Sequence, residues 1–155
     1  MSFSIMKRNM NRMKKAETDD AEVLAGLAIQ MWTDHVLADL TEEFRQLARN
    51  DDAVCFIQYV DDKPIAFAQC QLRRDYVEGT ASSPVGYLEG IFVSEGYRKQ
   101  GLAAELLSAC ENWAKEKGCR EFASDCELDN ADSLKFHMAL GFEEANRIIC
   151  FKKDL

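Results

Sequence analysis

The sequence predicts an α/β domain built on a mixed, mostly antiparallel sheet, with a parallel strand pair at its centre and helices on both faces. Three observations lead there. The apolar runs Val54 to Val60 and Ile65 to Leu72 are joined by Asp61-Asp-Lys-Pro64, turn chemistry that closes an antiparallel hairpin. Tyr87 to Val93 is apolar at nearly every position, as expected of a strand covered on both faces. A helical stripe and then another strand, Cys119 to Cys126, follow it, and two strands joined by a crossover helix lie parallel.

Taken in order, residues 1 to 11 carry methionines at 1, 6 and 10 among scattered basic residues, without alternation or a helical stripe. They read as a flexible N-terminal extension to a single domain over 12 to 155, the usual count for a chain of 155 residues. Arg12 to Ala16 fits a short edge strand. Thr18-Asp-Asp caps a helix whose Val23, Leu24, Leu27, Ala28 and Met31 share one face and which runs out near Trp32. Trp32-Thr-Asp-His35 is a polar, aromatic hinge, and Thr41-Glu-Glu caps a second helix with Phe44 and Leu47 on one face. After the hairpin, Arg73-Arg-Asp-Tyr76 continues the second strand, and Val77 to Pro84, rich in Gly, Ser and Thr, is a loop. A third helix, Gly101 to about Lys117, stripes Leu102, Leu106, Leu107, Cys110 and Trp113 and stops at Gly118. Asp129-Asn130 caps a fourth helix ending at Leu140-Gly141, and Asn146 to Lys152 reads as a last strand. The order is β-α-α-β-β-β-α-β-α-β.

A net charge of −8 argues against nucleic acid or an anionic membrane as a partner and favours cationic small molecules. Six cysteines, with no CxxC pair and no Cys/His set at metal spacing, read as reduced thiols of a cytoplasmic protein without a metal site. No run approaches the roughly 20 apolar residues of a membrane span.

Two features point to chemistry. Arg98-Lys-Gln-Gly101-Leu-Ala103 lies where a helix begins, so unpaired backbone N–H groups, the positive end of the helix dipole and two cations converge there as an anion cradle. A solvated helix cap fits the same residues. Two carboxylates, Glu89 and Asp125, interrupt otherwise apolar strands, and burying one unpaired costs several kcal/mol, so each needs a partner. An internal ion pair with Arg73, Arg74 or Arg120 satisfies that need, and so does an open cleft in which they bind ammonium groups.

The run Arg98-x-x-Gly101-x-Ala103, followed by Asn130-x6-His137-x3-Gly141-Phe142, resembles the GNAT superfamily of N-acetyltransferases. The resemblance extends over residues 12 to 155. Arg74 to Pro84, Leu88 to Val93, Gly118 to Asp125 and His137 to Glu144 are most similar to the aminoglycoside 6'-N-acetyltransferases. It implies a GNAT-like sheet and acetyl-CoA as co-substrate. Ile91, Phe92 and Val93 would bind the pantetheine arm, Arg98, Lys99, Gln100, Gly101, Leu102 and Ala103 the pyrophosphate, and Asn130 and His137 the cofactor arm. Trp32, His35, Tyr76, Glu89 and Asp125 would bind a cationic aminoglycoside. Acetyl transfer would proceed by direct attack of the 6'-amine, with Glu89 as base, directly or through a water, and His137 as general acid to the leaving thiolate or as a cofactor contact only. At Asn146 relatives carry an acid, so one anionic contact is absent. The resemblance also admits a homodimer. Polyamine or protein N-acetyltransferase activity, or a non-catalytic acyl-CoA-binding sensor, are the alternatives.

Overall fold

The computed structural model describes residues 10–155, so the expected N-terminal extension lies outside it except for Met10 and Asn11. The strands are β1 (Asn11–Lys15), β2 (Ala53–Val60), β3 (Lys63–Arg73), β4 (Val85–Val93) and β5 (Phe122–Ser124). The helices are α1 (Ala21–Ala28), α2 (Leu37–Ala48), α3 (Leu102–Glu116) and α4 (Ala131–Ala139). The sheet runs in the order β1-β2-β3-β4-β5; its first three pairs are antiparallel and β4 and β5 are parallel. The mixed sheet and the crossover through α3 are as the sequence predicts.

Alternating side chains of the hairpin feed two cores. Val54, Ala66, Ala68 and Cys70 meet Leu102, Leu106, Cys110 and Trp113 of α3 on one face. Cys55, Ile57 and Phe67 meet Leu24, Ala28, Leu40 and Phe44 of α1 and α2 on the other. Burial on both faces explains why β3 is apolar without alternation from Ile65 to Ala68.

β4 changes face part-way. Leu88 pairs with Cys70 and Gly90 with Gln69, so Glu89 has no partner and forms a β-bulge. Leu88, Ile91 and Val93 consequently all pack on the α3 side, while Phe92 packs on the side of α1 and α2. The bulge gives Glu89 its place in an apolar strand: the extra residue is turned out of the alternation.

Several boundaries differ from expectation, each for a local reason. The helix at Thr18 opens as a single 3-10 turn, Thr18–Asp20, and the α-helix starts at Ala21. Asp20 makes this entrance: its carboxylate accepts from the Glu17 N–H at 2.8 Å and pairs with Lys14 Nζ at 2.8 Å. α2 starts at Leu37, a turn before Thr41, whose hydroxyl donates to the Leu37 carbonyl at 2.8 Å. An in-helix threonine bonded to the residue four back has the same sequence look as a cap. β3 ends at Arg73, short of Tyr76. β5 holds three residues where eight are expected: Cys119 is still tied to the end of α3 through its N–H on the Ala114 carbonyl, and past Ser124 the bulged β4 has turned away.

The last expected strand, Asn146 to Lys152, is not in the sheet, and the parallel pair therefore lies at an edge of the sheet and not at its centre. Ile149 and Phe151 are 79% and 89% exposed. That stretch has strand-forming residues but no sheet partner among the described residues.

Candidate active site

Parallel pairing of β4 with β5 stops at Leu88 and Ser124, so from Gly90 to Val93 β4 pairs only with β3. This leaves a split beside Ile91, Phe92 and Val93, the kind of open strand edge to which an extended arm adds as a strand. Arg98 ties the turn to the end of β4, donating from Nε to the Val93 carbonyl at 2.8 Å.

The turn itself has the form of a cradle. Lys99 and Gly101 both have positive φ, 62° and 79°, a chain reversal that delivers α3 with no side chain capping its first N–H groups. Arg98, Lys99, Gln100 and Gly101 are exposed, and a Cβ on Gly101 would have nothing within 4 Å, so the concavity is open. These residues suit a pyrophosphate: two cations, uncapped amides and a 15-residue helix dipole face one spot.

On the other side of Glu89, a Cβ on Gly90 would stand 2.8 Å from Trp32 Cζ2, so the bare glycine admits the indole against β4. Trp32 lies edge-on to Phe67, and its ring centroid is 5.9 Å from that of His35. Trp32, His35, Glu43, Phe44, Leu47 and Gln69 line a cavity of about 190 Å³. A second cavity, about 90 Å³ between α2, β2 and the end of α3, contains none of the expected site residues.

Both carboxylates have partners. Arg73 Nη2 donates to Glu89 Oε1 and Oε2, each at 3.0 Å, and Nε donates to Oε1 at 3.1 Å. Of the two sequence alternatives for Glu89, the ion pair is thus formed. Asp125 is not a strand residue but follows β5, exposed, and accepts a hydrogen bond from the Tyr87 hydroxyl. Burial and that bond to Asp125 push the Tyr87 hydroxyl well above its ordinary pKa, so it remains the donor. Tyr76 stands apart, 77% exposed on the loop after β3. Arg73 is one of the three arginines that the sequence offers as partners, and it is the one that pairs with Glu89; Tyr87, Glu43 and Gln69 had no signal in the sequence.

His137 and Asn130 are each engaged locally. Asn130 Oδ1 accepts from the Ser133 N–H at 3.0 Å, capping α4. His137 Nδ1 is 2.7 Å from the Ser133 carbonyl and therefore carries the proton there, leaving Nε2, 2.8 Å from Ser124 Oγ, as acceptor in the neutral ring. Ser124, also unflagged by the sequence, pairs with Leu88 at the mouth of the split. Asn146 Nδ2 donates to Glu78 at 2.7 Å, so the position that lacks an acid holds one from the 77 to 84 loop instead.

Residues 17–142 match the acetyltransferase (GNAT) family. The aminoglycoside N(6')-acetyltransferase type 1 of Acinetobacter genomosp. 13 is 42% identical over 147 residues, 94% of this chain and 99% of that one. The chain belongs to the GNAT family, among the aminoglycoside 6'-N-acetyltransferases. The solved structure of aminoglycoside N-acetyltransferase AAC(6')-Iy in complex with CoA superposes on this acetyltransferase with a TM-score of 0.93, at 36% identity over 97% of this chain and 99% of that chain. AAC(6')-Iy in complex with the bisubstrate analogue CoA-S-monomethyl-acetylneamine superposes with a TM-score of 0.90, at 38% identity over 94% and 99%. The GNAT fold is therefore shared across nearly the whole domain, bulged β4 and uncapped α3 included within the matched span.

Proposed function

We propose that this enzyme transfers acetyl from acetyl-CoA to the 6'-amine of an aminoglycoside by direct attack in a ternary complex, with residues 12–155 acting as one catalytic domain. The observation that carries the reading is the split between β4 and β5, with a basic, uncapped helix start at one end and two carboxylates with aromatic neighbours at the other. A polyanion and a polycation can meet across it. The CoA-bound and bisubstrate-bound AAC(6')-Iy structures support the same pair of ligands.

The thioester supplies an acyl group whose carbonyl carbon an amine can attack. In the transfer a C–N bond forms, the C–S bond breaks, the amine nitrogen gives up a proton and the leaving sulfur takes one. Amides of β4 freed at the bulge are the donors suited to the carbonyl oxygen. Glu89, beside that bulge, takes the amine proton directly or through a water, and Glu89 and Asp125 together hold the polycation with Trp32 and His35. Tyr76 serves this site only by moving from its exposed position. Because both His137 ring nitrogens are engaged, His137 acts through Ser124: with a proton on Nε2 as well as Nδ1, the ring passes the Nε2 proton to Ser124 Oγ as that hydroxyl gives its own to the sulfur, which leaves the hydroxyl intact and the ring neutral with its proton on Nδ1. Asn130 contributes its free amide N–H groups to the cofactor arm while its oxygen caps α4.

We place the enzyme in the cytoplasm and as a homodimer. Among the described residues no helix is long and apolar enough to cross a membrane. For the dimer, the support is twofold: Ile148, Ile149 and Phe151 are exposed, and β5 is an edge strand that offers unpaired backbone groups to a second copy.

A thiol-release assay across an amine panel tests the function. Kanamycin turning over faster than spermidine supports it. Faster spermidine turnover would favour a polyamine acetyltransferase, and acetyl-CoA binding with no thiol release from any amine would leave a sensor.

A further inference from the structure

Arg73 does more than neutralise Glu89. It ends β3 opposite Val85, and its side chain runs along β4 over Tyr87 to reach the bulged residue four positions on. The guanidinium carbon lies 3.4 Å from the centroid of the Tyr87 ring, whose hydroxyl holds Asp125. One cation thus sits on the aromatic face that links the two carboxylates of the site. Opposite charge at Glu89 with an aromatic surface beneath is the environment that a substrate ammonium group would seek.

This cation is not locked in. Its side chain is 42% exposed against 21% for Glu89, and Nη1 donates to no acceptor among the described residues. The pair is open to solvent on the arginine side, so another cation can reach Glu89 and compete for the carboxylate with the hydrogen bonds from Arg73. Arg74, the neighbouring arginine, is taken up by Asp52 at 3.3 Å and does not share this position.

We propose that Arg73 is a resident counter-ion that occupies the ammonium subsite at Glu89 until substrate displaces it, and that it thereby determines which amines are accepted. A monoamine must break the Arg73–Glu89 pair and regains only an equivalent contact. A polycation loses the same contact but adds others at Asp125 and in the Trp32 and His35 cavity. Arg73 therefore imposes a threshold in substrate charge. The inference rests on the reading of Glu89 as an ammonium-binding group.

Steady-state kinetics of the full chain test both separately. Arg73→Met removes the charge but keeps an apolar stem over Tyr87, Arg73→Gln is a second neutral variant, and Arg73→Lys restores the charge. Removing the charge should lower the aminoglycoside KM about two- to fivefold, the scale of an exposed charge pair, with the acetyl-CoA KM unmoved. The lysine variant should return toward wild type, and a simple monoamine should gain from Arg73→Met by about the same factor as neomycin, because each breaks the same pair. Glu89→Gln should raise the aminoglycoside KM, and Arg73→Met should then bring no improvement on that background. An aminoglycoside KM that rises or stays fixed in both neutral variants, while Glu89→Gln still raises it, overturns the role of Arg73 and spares that of Glu89. Unchanged kinetics in Glu89→Gln overturn both.

Discussion

Gly90 and Trp32 compete for one space: a Cβ on residue 90 would stand 2.8 Å from Trp32 Cζ2 and 3.3 Å from Met31 Cε. The bare backbone of β4 is what lets the indole lie beside Glu89. Gly90→Ala should push Trp32 away from the strand and raise the aminoglycoside KM about tenfold, the scale of one lost cation–π contact with a tryptophan, with the acetyl-CoA KM nearly unchanged. Equal rises in both constants would show that the glycine serves the strand and not the substrate side.

The cradle makes the opposite prediction. Gly101 has φ 79° with open space around it, so Gly101→Val is opposed by backbone conformation, at roughly 1–2 kcal/mol, and not by a clash in the protein. The added side chain would stand in the concavity. The acetyl-CoA KM should rise far more than that for the amine, and unchanged cofactor affinity in the folded variant would place the pyrophosphate elsewhere.

Ser124 and His137 form one unit through the 2.8 Å contact between Oγ and Nε2. Ser124→Ala and His137→Gln should each lower kcat by at least about tenfold, and the double variant should be little worse than either, because residues acting in series are not additive. Multiplying losses would mean two independent roles. A kcat retained in Ser124→Ala but lost in His137→Gln would mean that histidine acts directly.

Asp20 concerns stability. Burial alone would raise its carboxyl pKa, but the bond from Lys14 and the Glu17 N–H outweigh it and hold the group below its ordinary 3.8. A depressed folded pKa means stabilisation that is complete above the unfolded value and is lost as pH falls through the folded one. Asp20→Asn should lower stability by about 1 kcal/mol at neutral pH, and the gap in Tm from wild type should close below about pH 3.8. A gap independent of pH would assign the effect to packing.

What could be read from the residues was local. The Asp61-Asp-Lys-Pro64 turn, the two-faced apolar run of β4, the α3 stripe and the 98 to 103 cradle are each encoded within a few neighbours, and they stand where expected. What could not be read depended on contacts between distant segments. Glu89 is a bulge only because β3 pairs past it, Arg73 and not Arg74 or Arg120 is its partner because the Arg73 side chain spans the Tyr87 ring, and Ser124 matters only because α4 brings His137 back to β5. The last strand failed for a related reason: residues 146 to 152 have strand chemistry, but a strand needs an edge to pair with, and among the described residues they pair with none.

Regiochemistry is the most direct test of the function. Neomycin carries a 6'-amine, and its analogue paromomycin has a hydroxyl there, with the remaining ammonium groups still available to Glu89 and Asp125. A hydroxyl is far less nucleophilic at neutral pH, and a fixed cleft keeps the other amines away from the thioester. Thiol release should be rapid with neomycin and nearly absent with paromomycin, which should act as a competitive inhibitor. Efficient N-acetylation of paromomycin would show another amine reaching the thioester and would contradict the 6' assignment.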